Sequence, residues 1–136
     1  MEKQTLKQYR SILREIAQLE EEKHRTLERL QGAAAGTHRV HAGLCTAPDR
    51  IGTMLARCEH YQRVIDARLD ALIDLREEIE QAIADLPSAE RQLLRLRYIE
   101  GKTWEQVADA LNYDLRWVTR LHCRTLQKIA GPRKKP

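Results

Sequence analysis

From Ile51 onward, apolar residues recur every seven positions: Ile51, Cys58, Ile65, Leu72, Ile79 and Leu86. Met54, Tyr61 and Leu75 fill a companion column, and Leu55, Leu69 and Ile83 the column after it. A heptad kept over this length is the pattern of a helix packed lengthwise against another helix. Arg68 is the one polar intrusion in the companion column and a candidate register device. The helix is expected to begin near Pro48-Asp49. Before it, Leu6, Tyr9, Leu13 and Ile16 step by three and four, Ile12 and Leu19 widen the stripe, and no Gly or Pro precedes Gly32. That spacing predicts a first helix from about Glu2 to Leu30. A stripe this narrow cannot bury itself, so the two helices are expected to form an antiparallel hairpin that a second copy could cover. Residues 31–48, with three glycines and a proline, read as a long mobile connection.

The periodicity changes after Leu86. Pro87 and Ser88 open a short pattern, with Ser88 expected as its N-cap. Leu93, Leu94 and Leu96 are its apolar side, Arg91, Arg95 and Arg97 interleave, and Gly101 ends it. Thr103 and Gln106 form a capping box, after which Trp104, Val107, Ala108 and Leu111 share one face of a second short helix. Asn112-Tyr113-Asp114 supplies a turn with Asp114 as the next cap. The third helix carries Val118, Leu121, Thr125, Leu126 and Ile129 on one face and Arg116, Arg120, Cys123 and Gln127 near the opposite one. A short helix, a tight turn and a longer helix with a basic outer face is a helix-turn-helix. The fold expected is therefore all-α: a long, coiled-coil-like N-terminal helical hairpin over 1–86, a three-helix head over 87–130 and a basic tail over 131–136.

The run LPSAERQLLRLRYIEGKTWEQVADALNYDLRWVTRLHCRTLQKI, Leu86 to Ile129, resembles the fourth conserved region of bacterial primary-type sigma factors. The resemblance is densest in RQLLRLRYIEGKTWEQVADAL and VTRLHCRTLQKI, and extends in general layout to small sigma-like regulators of temperate phages. Asn112 stands where many members have Gly, Asp114 where Ser is usual, and Trp117 where the residue is usually polar. The resemblance implies a transcription regulator that reads double-stranded DNA, is phage-encoded and acts in the cytoplasm of a bacterial host, with RNA polymerase as a further partner.

Charge agrees with that reading. The chain has a net charge of +4 over 136 residues, but it is unevenly placed. Residues 1–86 hold 13 Lys and Arg against 15 Asp and Glu, whereas residues 87–136 hold 11 against 5. A basic half coinciding with a helix-turn-helix is what attraction to a phosphate backbone requires. With no Phe, 4% aromatic and 32% charged residues, narrow stripes are favoured over one thick core, with much burial between chains and a dimer as the favoured oligomer. No apolar run is long enough for a membrane span, and three scattered cysteines suit reduced thiols.

The third helix, Leu115 to Ile129, is the expected recognition helix. Arg116, Thr119 and Arg120, in its first turns, are expected to face base edges. Arg124, Lys128 and the tail residues Arg133, Lys134 and Lys135 suit phosphates, as do Lys102 and Thr103 at the start of the preceding helix. Trp117 joins the DNA-contacting set from the flank, or anchors a protein partner. Trp104 is expected in the core. His122 is expected to be a packed or hydrogen-bonded core histidine. His38, His41, Cys45 and the Cys58-Glu59-His60 triplet match no standard zinc spacing, so no metal or other cofactor is expected. No phosphate loop or nucleophile elbow occurs, and the chain does not read as an enzyme. Two other readings share these motifs: a DNA-packaging recognition subunit, and a sigma-like module that binds protein.

Overall fold

The computed structural model describes residues 1–35 and 47–130. It is all-helical among those residues: α1 (Lys3–Ala35), α2 (Ala47–Ile83), α3 (Ser88–Leu94, continued by a π-helical turn Arg95–Ile99), α4 (Trp104–Leu111) and α5 (Leu115–Ala130). No described helix is long and apolar enough to cross a membrane.

α1 runs beyond the expected end at Leu30. Gly32 faces open space and the three alanines after it are the best helix formers, so nothing local stops the helix there. The expected connection over 31–48 is thus helical at both ends, and 36–46 lie outside the described residues, with His38, His41 and Cys45. α2 starts one residue before Pro48, which the unpaired amides of a first turn accommodate. It ends at Ile83, so Leu86, sixth in the heptad column, lies in the following turn yet stays buried.

Two compact units divide the chain. In the unit Arg14–Ala71, α1 and α2 are antiparallel: Glu15 pairs with Arg68 at 3.6 Å and Lys23 donates to Gln62. Arg68 therefore has an ionic partner across the hairpin, although both groups are about half exposed. Ile16, Thr26, Cys58 and Ile65 form the buried seam of this unit. Leu55 and Leu69, expected in a third apolar column, are exposed. One facing helix leaves this part of the third column outward, whereas Ile83 of the same column, in the other unit, is fully buried.

The other unit joins Met1–Leu13 to the chain from Leu72 onward. It holds every one of the largest fully buried side chains, Leu6, Ile79, Ile83, Leu93, Leu94, Val107, Val118 and Thr125. Composition favoured narrow stripes, and in this unit all five helices contribute buried residues. The first turns of α1 are part of it. Leu6 is fully buried, Arg10 donates to the Ile99 carbonyl at 3.0 Å, and the Met1 nitrogen donates to the Ile129 carbonyl at 2.6 Å. Both acceptors lie near helix C-termini, where carbonyls lack partners within the helix.

Ser88, expected to cap α3, is instead its first helical residue; Pro87 holds the cap position with no side-chain bond. The π-helical turn was also unforeseen. Its Glu100 amide reaches back five residues to the Arg95 carbonyl, and the insertion brings Tyr98 into the core. Gly101 then takes φ +74°, with the Arg10 guanidinium against the place where a side chain would stand.

Candidate nucleic-acid interface

Three local devices set the orientation of α5. The capping box at Thr103 is complete, the Gln106 amide donating to the Thr103 hydroxyl oxygen at 3.2 Å and the Thr103 amide to the Gln106 side chain at 2.9 Å. Asn112 ends α4 at φ 61°, a left-handed conformation that Asn tolerates. The Asp114 carboxylate accepts from the Trp117 amide at 2.8 Å, capping α5. Together these produce a sharp turn between two short elements of fixed phase.

Val118, Leu121, His122, Thr125 and Ile129 form the buried face of α5. His122 is buried as expected, 2.7 Å from the Tyr98 hydroxyl, and stacks edge-on with Trp104 at 4.6 Å. Burial, with the positive charges of Lys3 and Arg97 adding to it, lowers its pKa to about 4. The ring is therefore neutral, and its Nε2 shares a hydrogen bond with the Tyr98 hydroxyl. Burial likewise pushes the Tyr98 phenol upward. Trp104, expected in the core, is only half-buried. It opens α4 at the rim of the unit, where the Arg97 guanidinium covers its outer face at 4.3 Å.

The opposite face of α5 is a ridge of exposed side chains. Arg116, Arg120, Cys123 and Gln127 follow one another along it, and among the described residues neither guanidinium has a hydrogen bond or ion pair. Thr119 is exposed on one flank, its hydroxyl donating to the Leu115 carbonyl at 3.0 Å. Trp117 is on the other, 39% exposed. Tyr113 stands edge-on to it at 6.1 Å, and the Arg124 guanidinium lies 5.5 Å from its ring centroid. Lys102 and Thr103 are exposed at the start of α4.

Lys128 is placed differently from its neighbours. Its ammonium sits 2.8 and 2.9 Å from the two oxygens of Glu90, a carboxylate only 5% exposed, so it already has an anionic partner within the head. Arg133, Lys134 and Lys135 lie outside the described residues. Gln127 and Tyr113 were not among the expected site residues. Gln127 is eleven residues from Arg116, three turns along the same ridge, a spacing legible in the chain. Tyr113 sits in the turn, and only the fold brings it to Trp117.

The arginines of α3 and its π-helical turn do not join this surface. Arg95 grips Glu80 at 2.6 and 3.1 Å, and that hydrogen bond holds the Glu80 carboxyl below its ordinary range. Arg97 donates to the Lys102 carbonyl at 2.9 Å, and Arg91 to the Leu86 carbonyl. Among the described residues, no cluster of His, Cys, Asp and Glu is arranged to hold a metal ion.

No curated protein and no solved structure matches the chain. The model of the family described as sigma-70, region 4, matches residues 82–130, from the last turn of α2 to the end of α5. That segment is a sigma region 4-like helix-turn-helix.

Proposed function

We propose that the protein is a sequence-specific DNA-binding transcription regulator that inserts α5 into the major groove. The observation that carries this reading is the ridge of α5. Its Arg116 and Arg120 have no partner among the described residues, while Arg91, Arg95 and Arg97 of the same head are all engaged internally. Two guanidinium groups four residues apart project from one helix face, and guanine O6 and N7 are the acceptors such forks fit. Arg116, Thr119 and Arg120 would meet base edges. Lys102, Thr103 and Arg124 would meet phosphates, which position the head without reading sequence. Trp117 lies at the border of the two groups, and Lys128 adds positive charge at the margin while held by Glu90.

Double-stranded DNA is thus the proposed ligand and a homodimer the proposed assembly, each copy carrying one head. The exposed Leu55 and Leu69 of α2 support such pairing. A phage-encoded regulator working in a bacterial cytoplasm, with RNA polymerase as a second partner, completes the proposal. The exposed pair of Tyr113 and Trp117 favours one other reading, a module that binds protein without reading DNA.

The test is selection from random duplex DNA, followed by titration of the selected and a scrambled duplex at several salt concentrations. A sequence reader binds the selected duplex far more tightly, with affinity falling steeply as salt rises. Absence of duplex binding at low salt would sink the proposal in favour of the protein-binding module.

A further inference from the structure

We infer that Trp117 is a thymine-reading residue, its indole braced by Tyr113 and Arg124 to pack against the 5-methyl group of a thymine in the major groove. The inference rests on the DNA-reading proposal and extends it to a specific base. An indole 39% exposed on a helix whose amide is tied by Asp114 offers a fixed apolar surface. Its position is held further by the Tyr113 ring at 6.1 Å and the Arg124 guanidinium at 5.5 Å. Little side-chain freedom then remains to be lost on binding.

The charge around the indole selects its occupant. Arg120 and Arg124 are three and seven residues beyond Trp117, on neighbouring positions of the helix surface. Arg116 precedes it on the ridge. A surface that covers the indole must therefore also receive three guanidinium groups, so it must be polyanionic and still carry an apolar spot. Bases in a duplex are stacked, so a side chain entering the major groove meets their edges and not their faces. Among those edges the thymine methyl is the apolar group. Arg124, two turns further along the same side of α5 and 5.5 Å from the ring, is placed to meet the adjoining phosphate.

The experiment takes the duplex that the wild-type chain selects from a random pool and replaces each thymine singly by uracil, which removes only the methyl. At one or two positions uracil should weaken wild-type binding about fourfold, the value of one buried methyl. Trp117→Ala should bind the thymine and uracil duplexes alike, at unchanged melting temperature. Trp117→Leu, an apolar helix former, carries the same comparison should the alanine variant lose helical signal. A uracil penalty as large in the Trp117 variants as in the wild type overturns the inference. So does a wild-type chain indifferent to uracil at every position, or a selected site without thymine; in both cases DNA reading itself stands. A wild-type chain that binds no duplex at low salt removes both.

Discussion

α3 with its π-helical turn and α5 have nearly the same texture in sequence. Each interleaves arginines with apolar residues, RQLLRLR in one and RWVTRLHCR in the other. Their arginines meet opposite fates. Those of the first are consumed within the protein, by Glu80, by the Leu86 and Lys102 carbonyls and by the Trp104 ring. Those of the second stand on an open ridge or lean on an exposed indole. An arginine inside a helix-turn-helix is therefore no evidence of DNA contact by itself. What matters is whether the fold has already supplied its acceptors, since a guanidinium with satisfied donors has less to offer a phosphate or a guanine.

The sharpest way to break that contrast is to attack the buried face of α5. Val118 is fully buried, and Val118→Asp puts an unpaired charge in the core at a cost of about 3–5 kcal/mol. Thermal melting should show the head unfolded, while Arg116→Ala, half a turn away on the ridge, should melt like the wild type. If both variants melt alike, the assigned phase of α5 is wrong.

On the selected duplex the order reverses. Arg116→Ala is expected to lose about 1–3 kcal/mol and to relax preference at one base pair, whereas Arg97→Ala should leave base preference intact. Equal losses by Arg116→Ala on selected and scrambled duplexes would reduce that arginine to a positioning contact.

Acid tests the inner side again. His122 is held neutral, its folded pKa near 4 against an ordinary 6.5. The unfolded chain therefore binds a proton that the folded chain refuses between those values. Stability is complete above about pH 6.5 and falls as pH drops toward 4, by on the order of 1–2 kcal/mol after allowance for solvent screening. His122→Gln should flatten that part of the pH–stability profile; an unchanged slope would assign the acid sensitivity to other groups.

Lys128→Ala strips a buried carboxylate of its cation, and about 1 kcal/mol of stability should go with it. A loss confined to DNA affinity, with a salt slope shallower by about one unit and no change in melting, would return Lys128 to the phosphate contacts. The smallest effect belongs to Arg95→Ala. Its pair with Glu80 is well formed but 40% and 31% exposed, so about 0–1 kcal/mol is expected from melting curves.

The helix-turn-helix was legible because its signals are local. Thr103 with Gln106, Gly101, Asn112 and Asp114 each act within one turn of chain, and all four do in the structure what their chemistry predicts. Ser88 does not cap α3, because the extended Pro87 before it occupies the cap position and leaves Ser88 inside the first turn. The π-helical turn had no local signal; it accompanies the burial of Tyr98 against residues distant in the chain, such as His122. The exposure of Leu55 and Leu69 escaped a heptad reading for a related reason. Periodicity marks apolar columns, but only the number of facing helices decides how many of them are covered.

By itself, then, the order of residues determined the helical elements, their turns and the ridge of α5, because capping, helix period and left-handed glycine or asparagine depend on neighbours along the chain. Tertiary structure alone decided which arginines remain open, that Lys128 belongs to Glu90, that Trp104 is half covered by Arg97, and that the first turns of α1 complete the core around Leu6. Each of those outcomes depends on a partner distant in sequence. A basic residue carries no mark of whether folding will bring it a carboxylate, a carbonyl, a ring or only water.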